Sequence, residues 1–146
     1  MNITEKKALS RRFMESVWNN GKLDEIDKSL APNCRFVDPS GPFDLNGADA
    51  YKKYVQSVRK AFPDINLKID EQIAEGDALV SLVKITATHE GEFLGVAASH
   101  KKATISMIVI EHFQGDKIGN AFALWDTLTF LRTAGALEPA MAGFKA

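Results

Sequence analysis

The stretch YKKYVQSVRKAFPDINLKIDEQIAEGD, residues 51–77, changes period at its centre. Before Pro63, the residues Tyr51, Tyr54, Val55, Val58 and Phe62 fall on one face of a helix, and Pro63 ends it. After it, Leu67, Ile69, Glu71 and Ile73 alternate with polar residues up to a turn at Glu75-Gly76-Asp77, the period of a strand. The chain is helical on one side of this switch and extended on the other.

Upstream, Leu9, Phe13 and Val17, with Met14 and Trp18 alongside, predict a helix over Thr4 to Asn19 that stops at Asn20-Gly21. Leu23, Ile26 and Leu30 predict a shorter helix ended by Pro32. A brief extended segment, Cys34 to Asp38, precedes a loop marked by Pro39, Gly41 and Pro42. Downstream, Ala78 to His89 and Ala103 to Phe113 are long and rich in β-branched residues, and Gly115-Asp116 turns the chain into Lys117 to Asp126, which predicts an antiparallel meander. Thr127 to Leu131 can begin a last short helix. Helices first and strands afterwards predict an α+β domain, a cone-shaped curved antiparallel sheet wrapped around three N-terminal helices, with a short C-terminal helix. At 146 residues, residues 1–146 make a single domain able to bury its own core.

Eighteen Lys and Arg balance nineteen Asp and Glu, which speaks against a nucleic-acid binder. No apolar run approaches the ~20 residues that span a bilayer, so a cytoplasmic protein is expected. Cys34, the single cysteine, excludes an internal disulfide. The alternate faces of Ala78 to His89 are both partly apolar: Ser81, Val83, Ile85, Ala87 and His89 on one, Val80, Leu82, Lys84, Thr86 and Thr88 on the other. A sheet apolar on both sides buries both, which predicts a homodimer through the outer face.

Four residues carry candidate chemistry. Asp126 ends the apolar strand Ala121 to Trp125. It reads either as the N-cap of the next helix or as a carboxylate whose charged form is disfavoured by apolar neighbours and which moves protons. Asp38, before Pro39, is a turn initiator or an acid at a strand end. Glu111 shares strand parity with Met107, Val109 and Phe113, so it is a carboxylate in an apolar pocket if that face is inner, while His112 takes the other side. His89, before Gly91 and Gly95, either donates to a substrate oxygen or is a strand-end histidine bonded to main chain. The histidines at 89, 100 and 112 have no paired metal-ligand spacing, no Gly-rich phosphate cradle is seen, and Ser99-His100 is an isolated dipeptide. No metal and no cofactor are expected. Trp18, Phe36, Phe62, Phe93, Met107, Phe113, Phe122 and Trp125 are candidates to line a small hydrophobic substrate at the open end of the cone.

The run Val17 to Asp24, Ala31-Pro32-Asn33, Ala61 to Asp64, Ile73 to Asp77, Thr88 to Gly95 and Trp125 to Leu128, in that order, resembles the SnoaL-like polyketide cyclases, also called ester cyclases. These share a superfamily with nuclear transport factor 2, ketosteroid isomerase and scytalone dehydratase. The resemblance implies a cofactor-free cyclase or isomerase of aldol or enolisation type, acting on a polyketide, terpenoid or other small hydrophobic carbonyl or ester. It puts Asp126 at the acid–base position and His89 in the Thr-His-x-Gly motif as donor. The chain departs from the family at Val37, at Asn120 to Phe122 and at Ala97 to His100, which removes polar groups from the expected pocket. Asp38-Pro39-Ser40-Gly41 also resembles the base loop of ketosteroid isomerases, with Glu111 near their second acid, although Met14 and Trp18 stand where their first-helix tyrosine lies. A non-catalytic binding or dimerisation module and an epoxide or lactone hydrolase remain as alternatives.

Overall fold

The computed structural model describes residues 1–137; residues 138–146, the end of the expected single domain, lie outside the described residues. Helix α1 (Ile3–Phe13) starts with a reciprocal cap: the Glu5 N–H donates to the Asn2 side chain at 2.8 Å and the Asn2 N–H to Glu5 at 2.9 Å. It runs into a π-helical turn (Met14–Asn19) in which the Asn20 N–H reaches back to the Glu15 carbonyl. Gly21 follows with φ +69°, and the Arg59 guanidinium lies so close that a Cβ there would meet its Nε at 3.0 Å. Both conditions call for glycine. Helix α2 (Asp24–Ser29) is shorter than the spacing of Leu23, Ile26 and Leu30 predicts, because Leu30 already belongs to strand β1 (Leu30–Asp38). Pro32 does not stop the helix but sits inside that strand, within a register shift between Leu30 and Arg35 where no ladder N–H is required of it.

Strand β2 (Phe43–Asn46), which the Pro- and Gly-rich composition hid, pairs antiparallel with β1 and leads into helix α3 (Ala48–Ala61). Strands β3 (Asn66–Glu75), β4 (Ala78–Thr88), β5 (Lys102–Gln114) and β6 (Lys117–Trp125) form the expected meander, and helix α4 (Thr127–Thr133) follows. The sheet order is β2-β1-β6-β5-β4-β3. It is curved and does not close. One pairing departs from the fully antiparallel expectation: β1 lies parallel to β6, which its long crossover through α3 and the meander permits.

The inner face of the sheet packs on α1, α2 and α3 through Leu9, Phe13, Val17, Ile26, Val55, Val58, Leu79, Val83, Ile118 and Ala123, all buried. A bulge between Ile69 and Glu71 breaks the parity of β3, so Ile73 pairs with Val80 on the outer face and is 60% exposed instead of sharing a face with Leu67. The outer face also leaves Ile108, Phe122 and Leu124 exposed, with Ile108 paired to Leu124 and Ile110 to Phe122. No helix among the described residues is long and apolar enough to cross a membrane.

Candidate active site

Between the helices and the inner face of the sheet lies an apolar cavity. Phe13, Met14 and Trp18 wall it on one side, Tyr51, Tyr54 and Val58 of α3 on another, and the inward residues of β1, β4, β5 and β6 on the third; Phe93 and Phe130 stand at its loop and C-terminal-helix side. Six of the eight predicted lining residues are there: Trp18, Phe36, Phe62, Phe93, Met107 and Trp125. Phe113 and Phe122 are corrections. Phe113 is inward and buried but does not line the cavity; it packs in the core beneath the Lys6 ammonium, 5.9 Å from its ring centre. Phe122 follows the parity of Leu124, not of Ala121, Ala123 and Trp125, and is 42% exposed on the outer face.

Glu111 takes the inner of its two possible faces. It is 3% exposed, lines the cavity and accepts a 2.5 Å bond from the Ser10 hydroxyl of α1. Removal from water pushes its pKa up to about 7, with the Ser10 bond acting the other way. Near neutral pH this acid therefore exists in both forms.

Asp38 closes β1 on the face that Cys34 and Phe36 share, and it is 1% exposed on the cavity wall. Pro39 ends the strand and the Ser40 N–H turns back onto Oδ1 at 2.9 Å, so Asp38 initiates the turn and presents a carboxyl to the cavity at once. Ser40 is itself tied to β6, since its hydroxyl accepts from the Trp125 N–H at 2.9 Å and its carbonyl from the Thr127 hydroxyl at 3.0 Å. Burial raises the Asp38 pKa, while Ser40 and the Trp125 side chain favour the charged form and pull it partly back.

Two polar groups were hidden in an apolar stripe. Tyr51 and Tyr54 lie one turn apart on α3, and their rings turn into the cavity against Phe36 at centroid distances of 5.4 and 5.5 Å. The Trp18 indole donates to Tyr51 Oη at 3.0 Å. Burial raises both phenols, with the nearby Tyr54 and Glu111 adding to it at Tyr51 and Asp38 adding to it at Tyr54, so both hold their protons. The amphiphilic nature of tyrosine in a helical stripe was the available signal.

Asp126 stands elsewhere. It is exposed and is the N-cap of α4, where Oδ1 accepts from the Thr129 N–H at 3.1 Å and Oδ2 from the Thr129 hydroxyl at 2.5 Å. It does not line the cavity, so of its two expected roles the structure shows the N-cap: the strand ends at Trp125 and the chain turns outward to start the helix. His89 is 2% exposed but lies behind the cavity wall, between Phe62 and Phe130 at 5.4 and 5.0 Å. Its Nδ1 accepts from the Ser99 N–H at 3.2 Å, which leaves the hydrogen on Nε2, a buried atom with no partner among the described residues. Gly91 lets the following loop touch α3, since a Cβ there would stand 3.1 Å from Ala61 Cα. Among the described residues, no three His, Cys, Asp or Glu side chains converge as metal ligands would.

A family model for SnoaL-like polyketide cyclases matches residues 8–134. No curated protein matches the chain. Among solved structures, it is similar to TsrD from Streptomyces laurentii (22% identity, 94% of this chain and 99% of that one, TM-score 0.83). A proposed polyketide cyclase from Acidithiobacillus ferrooxidans is 29% identical, with 93% and 99% of the two chains covered and a TM-score of 0.80. AclR from Streptomyces galilaeus, a proposed hydroxylase, is 27% identical over 92% and 98%, with a TM-score of 0.79. The helices, open curved sheet and C-terminal helix are those of the nuclear transport factor 2-like fold. The match takes in both cavity acids, Ser10 and the whole of α3, and the chain belongs to the SnoaL-like polyketide cyclase family.

Proposed function

We propose that the protein is a cofactor-independent acid–base enzyme that enolises a small hydrophobic carbonyl compound and either closes a ring or moves a double bond. The observation that carries this reading is Asp38, a carboxyl 1% exposed on the wall of an apolar cavity that also holds Glu111. Asp38, ionised, takes a proton from the carbon beside the carbonyl; the electron pair moves onto the carbonyl oxygen as an enolate. Glu111, protonated below about pH 7, donates a hydrogen bond to that oxygen. The enolate carbon then attacks a second carbonyl of the same molecule, whose oxygen takes the proton from Asp38 and becomes a hydroxyl, or the conjugated enolate takes that proton from Asp38 at another carbon; either way Asp38 returns to its ionised form. Asp38 holds the role in preference to Asp126, whose two oxygens are engaged by Thr129 away from the cavity.

The exposed apolar residues Ile108, Phe122 and Leu124 support pairing of two copies through the outer face of the sheet. The buried, unpaired thiol of Cys34 suits the reducing cytoplasm.

Deuterium incorporation from D2O into hydrophobic ketones, with 2-tetralone as first probe, tests the chemistry by mass. The wild-type protein should accelerate exchange beside the carbonyl, and Asp38→Asn should lower the rate between about a hundredfold and ten-thousandfold. Exchange by Asp38→Asn at the wild-type rate would overturn the assignment.

A further inference from the structure

Trp18 is anchored from several directions. It sits in the π-helical turn, its carbonyl accepts a bond from the Arg59 guanidinium, and its neighbour Asn19 clamps the main chain of Leu67 in both directions, at 2.6 and 3.0 Å. The indole so held meets Tyr51 edge-on, with rings 6.2 Å apart at 84°. An indole N–H can only donate, so the 3.0 Å bond runs from Trp18 to Tyr51 and never the reverse. The phenol oxygen therefore spends a lone pair on Trp18 and keeps its own proton, for which no acceptor is found among the described residues. A hydroxyl that accepts one hydrogen bond is a stronger donor of the next. Phe13 and Phe36, at 5.7 and 5.4 Å, pack the Tyr51 ring, and the residue is 5% exposed while lining the cavity.

We infer that Tyr51 donates a hydrogen bond to the oxygen of the molecule held in the cavity, and that Trp18 is the positioning residue that aims and polarises it. The ligand class is a flat apolar molecule bearing a ketone, enolate or phenolate oxygen. This rests on the cavity being the binding site proposed above.

Binding of naphthols of graded acidity, with naphthalene as the oxygen-free control, tests it at about pH 6, where Glu111 is mostly protonated. In the wild-type protein, affinity should rise with naphthol acidity. Tyr51→Phe should lower naphthol affinity about tenfold, leave naphthalene within about twofold and flatten the dependence on acidity. Trp18→Phe should flatten it partly, a response that mere loss of packing would not give. Equal losses for naphthols and naphthalene, no loss in Tyr51→Phe, or no naphthol binding by the wild-type protein would each overturn the inference. These probes undergo no required carbon–proton transfer, so failure of the Asp38 assignment would show in deuterium exchange and not here.

Discussion

Glu111 ties the chemistry of the cavity to the stability of the fold, and the link has a definite sign. Its pKa is about 7 in the folded protein against 4.5 for an ordinary glutamate, because burial disfavours its charged form. Between those values the native state keeps a proton that the unfolded chain has released. Stability from this group is complete below about pH 4.5 and is lost as pH rises through 7. At about 1.36 kcal/mol per pH unit the loss is about 3 kcal/mol, a large share of the 5–15 kcal/mol typical of a domain. Glu111→Gln removes the titration while keeping an oxygen for the Ser10 hydroxyl to bond. Urea unfolding of both proteins from pH 4 to 8 is the assay. The variant should gain about 3 kcal/mol relative to wild type across that range. Asp38, raised by burial, and Asp64 and Asp44, lowered by Thr88 and Arg35, titrate in both proteins and cancel in the difference where they act independently. Parallel stability curves for the two proteins would refute the placement of a protonated Glu111 at neutral pH.

Asp126→Ala should lower stability by about 1 kcal/mol in thermal unfolding, the usual cost of losing an N-cap, whereas Asp126→Asn should retain most of the cap and keep deuterium exchange within severalfold of wild type. A loss of exchange in Asp126→Asn as deep as in Asp38→Asn would move the base to Asp126. On the outer face, Phe122→Lys combined with Leu124→Lys should shift the mass measured by light scattering from dimer to monomer without altering the far-ultraviolet circular dichroism, because both side chains are already exposed in one copy. A wild-type protein that is monomeric at all concentrations would defeat that proposal.

The period switch at Pro63 was legible because helix and strand patterns depend on neighbours along the chain. Four of the six strands, the first helix taken together with its π-helical turn, and the third and last helices lie within a few residues of their expected limits. Three features were not legible: strand β2 hides in a Pro- and Gly-rich segment, the bulge that turns Ile73 outward is a slip in the pairing of β3 with β4 that alternation along β3 does not mark, and the parallel β1–β6 pairing joins strands far apart in sequence. The same distinction runs through the site. Parity placed Glu111 with Met107 and Val109, leaving two faces to choose between, and β4 and α1 made the choice.

The chain by itself determined its fold class, its family likeness and the short list of acids able to carry chemistry, because these follow from residue types at fixed spacings. Only the tertiary structure decided which of them share a cavity. Asp38 ends one strand and Asp126 directly follows another, and both can cap a turn, yet Asp126 faces solvent while Asp38 is enclosed beside Trp125. Desolvation depends on every element packed around a group, and those elements here come from both ends of the chain. The pairing of Trp18 with Tyr51, 33 residues apart, has the same origin: a helix and a π-helical turn must meet before one side chain can direct the proton of another.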